Sequence, residues 1–376
     1  MYSKKISYIA EINLDSKSAY KQQVLKMCDA FSQNGYEVKL YIINSNKINF
    51  NQLKKEYILK KKFKIISIFK YIKKLNFFLR VLFALKIFFL LKKKEEIIYS
   101  RSVLTSIFFS IFGLKNILEI HQPNSGITKF LFNTFKSQII KKTQVILINK
   151  KLNNHLLLNK QNYIISDDGV DIKDFKKNYK ILHDKPCVYT GSLFPGKGIE
   201  IIIELAKKMK DFSFHVYGEI NSVSKRDLDQ CKNLKNIKLL GYINYFKIPK
   251  ILKSHKIIIM PYLKSTFGNH KTMDISKYMS PLKLFDYLAS GRVIIASRNE
   301  SYSHILVNKK NCFLCNPNNI DEWVKKIKKV SSKHYNVTKI QYNSLKTAKS
   351  YTWRLRVLKI IQFVKENNIL IEKKEI

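Results

Sequence analysis

The run Ser280-Pro-Leu-Lys-Leu-Phe-Asp-Tyr-Leu-Ala-Ser-Gly291, followed at once by Val293-Ile-Ile-Ala-Ser297, leaves this chain few choices of fold. It reads as a helix opened by Ser280 and Pro281, stopped by Gly291 and handed straight to a buried strand. With Ser280 as cap and Pro281 in the first turn, the free amides point outward with the positive end of the helix dipole, which suits an anion. Asp286 lies further in, where a carboxylate is awkward beside a phosphate unless it holds something else, such as a ribose hydroxyl. An ordinary capped helix in an α/β domain explains the same segment, so the rest of the chain must decide.

Short strand-like runs alternate with helical patterns almost from end to end, the mark of parallel α/β architecture. In the first half the expected strands are Ile6 to Ala10, Glu37 to Ile43, Ile97 to Ser100, Ile117 to His121, Val145 to Asn149 and Tyr163 to Ser166. Helical segments such as Ser18 to Ser32 and Thr128 to Ile140 lie between them. The polar stretch Asp171 to Lys185 reads as a linker. Strand runs then resume at Cys187 to Gly191, Phe214 to Gly218, Ile237 to Gly241, Ile257 to Pro261 and Val293 to Ser297. Two doubly wound sheets are expected, with ligands outside the carboxyl ends of the strands.

The chain has 376 residues, 45% of them hydrophobic, enough for two domains with real cores. Its formal charge of +43 attracts polyanions of any kind, although heavy use of lysine, isoleucine and asparagine together also fits coding bias. Cys28, Cys187, Cys231, Cys312 and Cys315 are odd in number and sit mostly in apolar runs, which suits a reducing compartment. Cys312 and Cys315 form a C-x-x-C pair without the second pair or histidines of a zinc site, so both are expected in a strand. No signal-peptide pattern opens the chain and no stretch of about 18 residues is free of charge, so a cytoplasmic location is expected. Residues 51–100 hold 14 basic and 3 acidic side chains among many Phe, Ile and Leu. Taken as a helix, they place Lys70, Lys73, Lys74 and Arg80 within roughly a third of the circumference, with Lys86 breaking the pattern. Phe77, Phe78, Phe83 and Phe88 would then face acyl chains at an anionic membrane surface, or the segment is a core helix with lysines at its rim.

Glycine is scarce, 11 in the chain, yet seven fall between Gly191 and Gly291, and Gly191, Gly218 and Gly241 each close a strand run. Such placement points to tight turns or close approach to a ligand, and to the second half as the nucleotide-binding one. Gly191-Ser-Leu-Phe-Pro-Gly-Lys197-Gly198 matches a P-loop until its last position, where Gly198 replaces the hydroxyl that would ligate magnesium. What remains is a lysine and flexible backbone beside a strand end, suited to a diphosphate.

Together, Thr190-Gly-Ser, Lys197-Gly-Ile-Glu, Val216-Tyr-Gly, Leu240-Gly-Tyr242, Ile259-Met-Pro-Tyr and the Ser280 to Gly291 run resemble the C-terminal domain of family 4 (group 1) glycosyltransferases. The first half is similar more loosely, through Asn34-Gly-Tyr-Glu-Val, Glu119-Ile-His121 and Asp168-Gly-Val-Asp171, and Tyr351-Thr-Trp353 looks like the start of the family's last helix. The resemblance implies an α/β chain of the GT-B fold, two facing Rossmann-like doubly wound domains with a C-terminal helix returning to the first. Residues 1–175 with about 352–376 would form the acceptor-side domain and residues 183–350 the nucleotide-sugar domain. It also implies His121, Lys197 and Asp286 as catalytic residues, and Gly191, Ser192, Gly218, Tyr242, Ser280, Pro281, Leu282 and Lys283 as donor-binding ones. Ser192 stands where the family often has arginine, Asp286 where it has a ribose-binding glutamate, and Tyr278 where it has a sugar-contacting glutamate; Asp274 is a nearby substitute.

The implied activity is retaining transfer from a nucleotide-sugar donor to a glycan or lipid-linked acceptor in bacterial cell-surface polysaccharide biosynthesis. No cofactor or metal is expected, because Lys197, Lys283 and the amides near Ser280 and Leu282 can carry the leaving-group charge. The expected location is the inner face of the membrane, with no nucleic-acid partner. The rival readings are a sugar-nucleotide epimerase of the same fold, a non-catalytic polyanion-binding protein, and an inactive family member.

Overall fold

The computed structural model describes residues 4–367 except 46–47, 71, 73–74, 95, 182–186, 268–272 and 333. The chain forms two compact units, Met1–Asp168 with Trp353–Ile376, and Gly169–Thr352.

In the first unit the strands are β1 (Lys5–Asn13), β2 (Glu37–Asn44), β3 (Lys64–Phe69), β4 (Ile97–Ser100), β5 (Asn116–Ile120), β6 (Thr143–Leu147) and β7 (Tyr163–Ile165). They pair in parallel in the order β3-β2-β1-β4-β5-β6-β7, so the order reverses between β1 and β4. The helix Ala19–Gln33 starts where Ser18 accepts from the Lys21 amide, and the expected helix Thr128 to Ile140 divides into Gly126–Thr134 and Lys136–Lys142. The last described helix, Trp353–Glu366, also belongs to this unit, and its Arg356 reaches Met27 of Ala19–Gln33.

The basic region departs from the single amphipathic helix expected of it. Lys64–Phe69 is the edge strand β3, its side chains half-buried beyond the first residue, and the helix occupies only Phe77–Leu91. Lys73 and Lys74 lie outside the described residues. Phe83 does not face outward: it is fully buried against Ile9, Tyr41, Ile87 and Phe109, because one stripe of this helix must cover the sheet. Phe88 is half-buried among Phe89, Phe108 and Phe112. Phe77 and Phe78 are exposed, and Arg80 pairs with Glu11 at 2.7 Å.

The second unit contains β8 (Cys187–Thr190), β9 (Phe214–Tyr217), β10 (Ile237–Leu239), β11 (Ile257–Met260), β12 (Val293–Ser297) and β13 (Phe313–Cys315), parallel in the order β10-β9-β8-β11-β12-β13. Its central strands β11 and β12 are buried throughout because both faces are covered. Ile257, Ile259, Val293 and Ile295 pack with Ile199–Lys208 and Trp323, while Ile258, Met260, Ile294 and Ala296 pack with Phe285, Leu288 and Leu252. Cys315 ends β13 and Cys312 forms an isolated bridge with Asn308; all five thiols are buried and unlinked. The stretch expected as a linker begins inside this unit: Phe175 is buried in its core because Ile172–Phe175 forms a turn against it, and residues 182–185 lie outside the described residues.

The two faces of Phe77–Leu91 can be told apart by substitution. Phe83→Ala should lower stability in urea denaturation by about 3–5 kcal/mol, the usual cost of emptying a buried aromatic site. Phe78→Ala should stay within about 0.5 kcal/mol of the parent.

Candidate functional site

Strand order in the second sheet reverses between β8 and β11, so the carboxyl ends of these strands flank the crevice where such sheets take ligands. Glycines let the backbone close up there. The Gly191 amide donates to the Tyr217 carbonyl at 2.9 Å, and the Gly218 amide to the Gly241 carbonyl at 3.0 Å. A Cβ on Gly218 would sit 2.2 Å from the Gly191 oxygen, and one on Gly191 only 2.3 Å from Lys283 Nζ. Gly198, at φ +112°, packs so closely on Pro261 that a Cβ would meet its carbonyl oxygen at 2.4 Å.

These close approaches bring Lys197 and Lys283 to one aromatic ring. Each Nζ lies 5.2 Å from the Tyr262 centroid. Lys283 also donates to the Tyr189 hydroxyl at 2.6 Å, and that hydroxyl donates in turn to the Ser192 carbonyl at 2.6 Å. Burial brings the Lys197 amine down to about 8. Burial first, and the neighbouring Lys197 second, hold Lys283 well below the ordinary lysine range. Among the described residues no carboxylate pairs with either lysine. The nearby Glu200 instead accepts from the amides of Gly196 at 2.9 Å and Gly198 at 3.2 Å.

The helix that carries Lys283 spans Leu282–Ser290 and differs from the expected start. Ser280 is not its cap and Pro281 is not in its first turn. Pro281 occupies the cap position with extended backbone, φ −71° and ψ 122°, and makes no side-chain cap hydrogen bond. The ring fixes φ, and the extended ψ keeps Pro281 itself out of the helix. Among the described residues no side chain takes the first-turn donors beside Leu282 and Lys283, which leaves them open to a ligand. Further along, the Tyr287 hydroxyl accepts from the Thr190 amide at 2.9 Å and donates to its carbonyl at 3.0 Å, fixing the helix to the end of β8.

Of the expected site residues, Gly191, Lys197, Gly218 and Lys283 thus converge, with Pro281 and Leu282 at the start of the same helix. Asp286 is buried and accepts from the Tyr245 hydroxyl at 3.0 Å. Ser192 is exposed, Tyr242 partly exposed, Ser280 buried and Tyr278 half-buried. Asp274 is tied into its own loop, its Oδ1 accepting from the amides of Thr266 at 3.0 Å and Ser276 at 2.9 Å. Burial works against that carboxylate, but these amides hold it below the usual range. Sequence reasoning missed Tyr189, Tyr245 and Tyr287, and Tyr262 as the ring shared by the lysines. For Tyr189 and Tyr262 the available signal was a tyrosine near a strand end, whereas Tyr245 in a short turn and Tyr287 within the helix carried none.

His121 lies in the first unit, just past β5, beside a buried ion pair. Glu119 accepts from Arg356 at 2.8 Å, from Gln23 at 2.8 Å, and from Tyr99 and His121. Burial opposes the Glu119 carboxylate, but Arg356, His121 and Arg101 together hold its pKa well below the usual range. Burial and then Arg101 bring His121 down to about 3, against the pull of Glu119. Its imidazole is therefore neutral, and with Nε2–H given to Glu119 it presents Nδ1 as an acceptor. Asp168 is raised by burial to about 7 despite Arg356. Ligand atoms of Glu119, His121 and Asp168 lie within 4.8 Å of one another. That donor set already holds a guanidinium, so it suits the ion pair better than a metal ion.

Residues 171–347 match the family model described as Glycosyl transferases group 1. A glycosyltransferase from Rickettsia africae has a similar structure, with TM-score 0.74 at 16% identity over 97% of this chain and 98% of that one. Anabaena HepE, solved with UDP and glucose, gives TM-score 0.71 at 11% identity over 96% and 99%. Sucrose-phosphate synthase from Thermosynechococcus elongatus gives 0.71 at 13% identity over 96% and 98%. Comparison with curated protein sequences gave no significant match. The second unit thus matches the group 1 glycosyltransferase family model, and the two parallel sheets of the chain are those of the GT-B fold.

Two measurements check the first-unit account. Ring signals of His121 in NMR should not titrate between about pH 5 and 8, where an ordinary histidine does. Glu119→Gln leaves Arg356 buried without its partner and should cost about 3–5 kcal/mol in denaturation experiments.

Proposed function

We propose that the chain is a retaining glycosyltransferase that moves a sugar from a nucleotide-sugar donor to a glycan or lipid-linked acceptor in bacterial cell-surface polysaccharide biosynthesis. The observation that carries this reading is the seat of Lys197 and Lys283 over Tyr262: two cations and an uncapped helix start with no carboxylate partner among the described residues. A diphosphate supplies the missing charge. HepE, of similar fold, has been solved with UDP-glucose.

In this reading Lys197, Lys283 and the amides of Leu282 and Lys283 hold the diphosphate, with Gly191, Ser192, Gly218, Ser280 and Pro281 shaping the seat and Tyr242 beside it. Asp286 holds the ribose hydroxyls, oriented by Tyr245. As the bond from the anomeric carbon to the diphosphate oxygen breaks, negative charge grows on that oxygen, and the lysines stabilise it most in the transition state. The acceptor hydroxyl bonds to the anomeric carbon from the leaving-group side, and its proton passes to the departing diphosphate. The lysines and helix dipole supply the charge that a metal would otherwise bring.

The second part of the proposal is peripheral attachment at the inner face of the membrane. Among the described residues no helix is long and apolar enough to cross a membrane. The helix Val103–Ile111 packs on both Phe77–Leu91 and Gly126–Thr134, and these segments expose Phe78 (66%), Phe89 (62%), Phe112 (56%) and Phe130 (69%). Lys86, Lys92, Lys93, Lys94 and Lys129 are exposed among them. Aromatic side chains ringed by lysines suit an anionic bilayer interface.

Thermal-shift titration with UDP, GDP, ADP and CMP tests the donor site. One nucleoside diphosphate should stabilise the protein, by about 2.7 kcal/mol at a hundred times its dissociation constant, and Lys197→Ala should abolish the effect. Indifference to all four contradicts the reading. For the membrane face, Phe78→Ser with Phe89→Ser should abolish co-sedimentation with phosphatidylglycerol vesicles at low salt; unchanged binding, or none by the parent, counts against it.

A further inference from the structure

The seat holds two amines over one tyrosine ring with no counter-charge among the described residues, and the described polar groups named below are otherwise engaged. From β8, Tyr189 gives its only hydroxyl proton to the Ser192 carbonyl, so it meets Lys283 as an acceptor. From the helix after the loop, Glu200 is held by the Gly196 and Gly198 amides. From the helix Leu282–Ser290, Tyr287 is bound at Thr190, and Asp286 accepts from Tyr245. From the end of β11 comes only the face of Tyr262. A neutral amine and an ammonium can both donate to Tyr189, so the empty geometry does not require Lys283 to be charged. Burial and mutual repulsion both work against two charges there.

We propose that donor binding is coupled to proton uptake: the Lys197–Lys283 pair carries fewer than two protons when empty and two when a diphosphate occupies the seat. The inference rests on the donor-site reading above. The proton comes from solvent, joins the lone pair of the neutral amine, and returns to solvent when the nucleoside diphosphate leaves. A diphosphate raises the affinity of the pair for that proton, so donor affinity is full below the pKa of the empty pair and falls as pH rises through it. The fall begins at the more depressed amine, Lys283, which burial and then Lys197 hold well below the ordinary lysine range. Each pH unit above that point weakens binding by up to about tenfold, until the pKa of the occupied pair is reached.

Isothermal titration calorimetry on the full chain tests this, with UDP, GDP and ADP tried in turn near about pH 8, where a terminal phosphate of pKa about 6 is already ionised. HEPES and Tris differ in ionisation heat, so the binding heat should change between them by the equivalent of about one proton taken up. Lys283→Arg keeps a cation that does not titrate and should bind while losing most of that buffer dependence. Should the larger guanidinium not be accommodated beside Gly191, Lys283→Gln, which likewise cannot titrate, makes the same test. Binding with equal heats in the two buffers, or an unchanged buffer dependence in both variants, overturns the proposal and leaves the donor site standing. Binding by none of the three nucleotides removes the donor-site reading, and the proposal with it.

Discussion

Holding a buried Lys197 and a half-buried Lys283 over one tyrosine ring without a carboxylate is unfavourable, and the carboxyl end of the second sheet is organised around that strain. Lys197 arrives on a loop that packs against Pro261 only because Gly198 lacks a side chain. Lys283 arrives on a helix fixed to β8 through Tyr287, into space that a Cβ on Gly191 would occupy. Tyr262 offers its ring to both amines, and Tyr189 offers one a hydroxyl oxygen. None of these contacts cancels a charge. A fold that tolerates such a cluster at the point where strand order reverses is prepared for an anion that arrives from outside.

The first unit shows the opposite balance with similar residue types. Glu119 is fully buried, yet Arg356, Gln23, Tyr99 and His121 all donate to it. Its charge is met within the protein, and the main product is structural: residues 237 positions apart in sequence are held together, binding the late helix Trp353–Glu366 to β5. The same cluster fixes the tautomer of His121, so one ion pair both secures the unit and leaves a defined acceptor at Nδ1.

What the sequence revealed follows from the range over which each signal acts. Apolar runs closed by glycine or proline are local, and Cys187 to Gly191, Phe214 to Gly218 and Ile257 to Pro261 were readable as buried strands of a parallel sheet. Lys64–Phe69 was not, because an edge strand is half-buried and its lysine-rich surroundings imitate an amphipathic helix. Ser280 looked like a cap because serine before proline is a common helix opening, and only the backbone angles of Pro281 displace the start. Lys197 and Lys283 were legible individually, their shared ring was not: Tyr262 beside an apolar strand reads as core, and nothing local links it to two lysines on either side in sequence. Arg356 was likewise silent, since its partner Glu119 is reached only through tertiary packing.

The central claim is that the two lysines form one diphosphate seat. A crystal structure with a bound nucleoside diphosphate tests it most directly. The account predicts phosphate oxygens within about 3 Å of both Nζ atoms and of the first amides of the helix Leu282–Ser290. Phosphates bound elsewhere, or held by Lys197 while Lys283 stays on Tyr189, would contradict it.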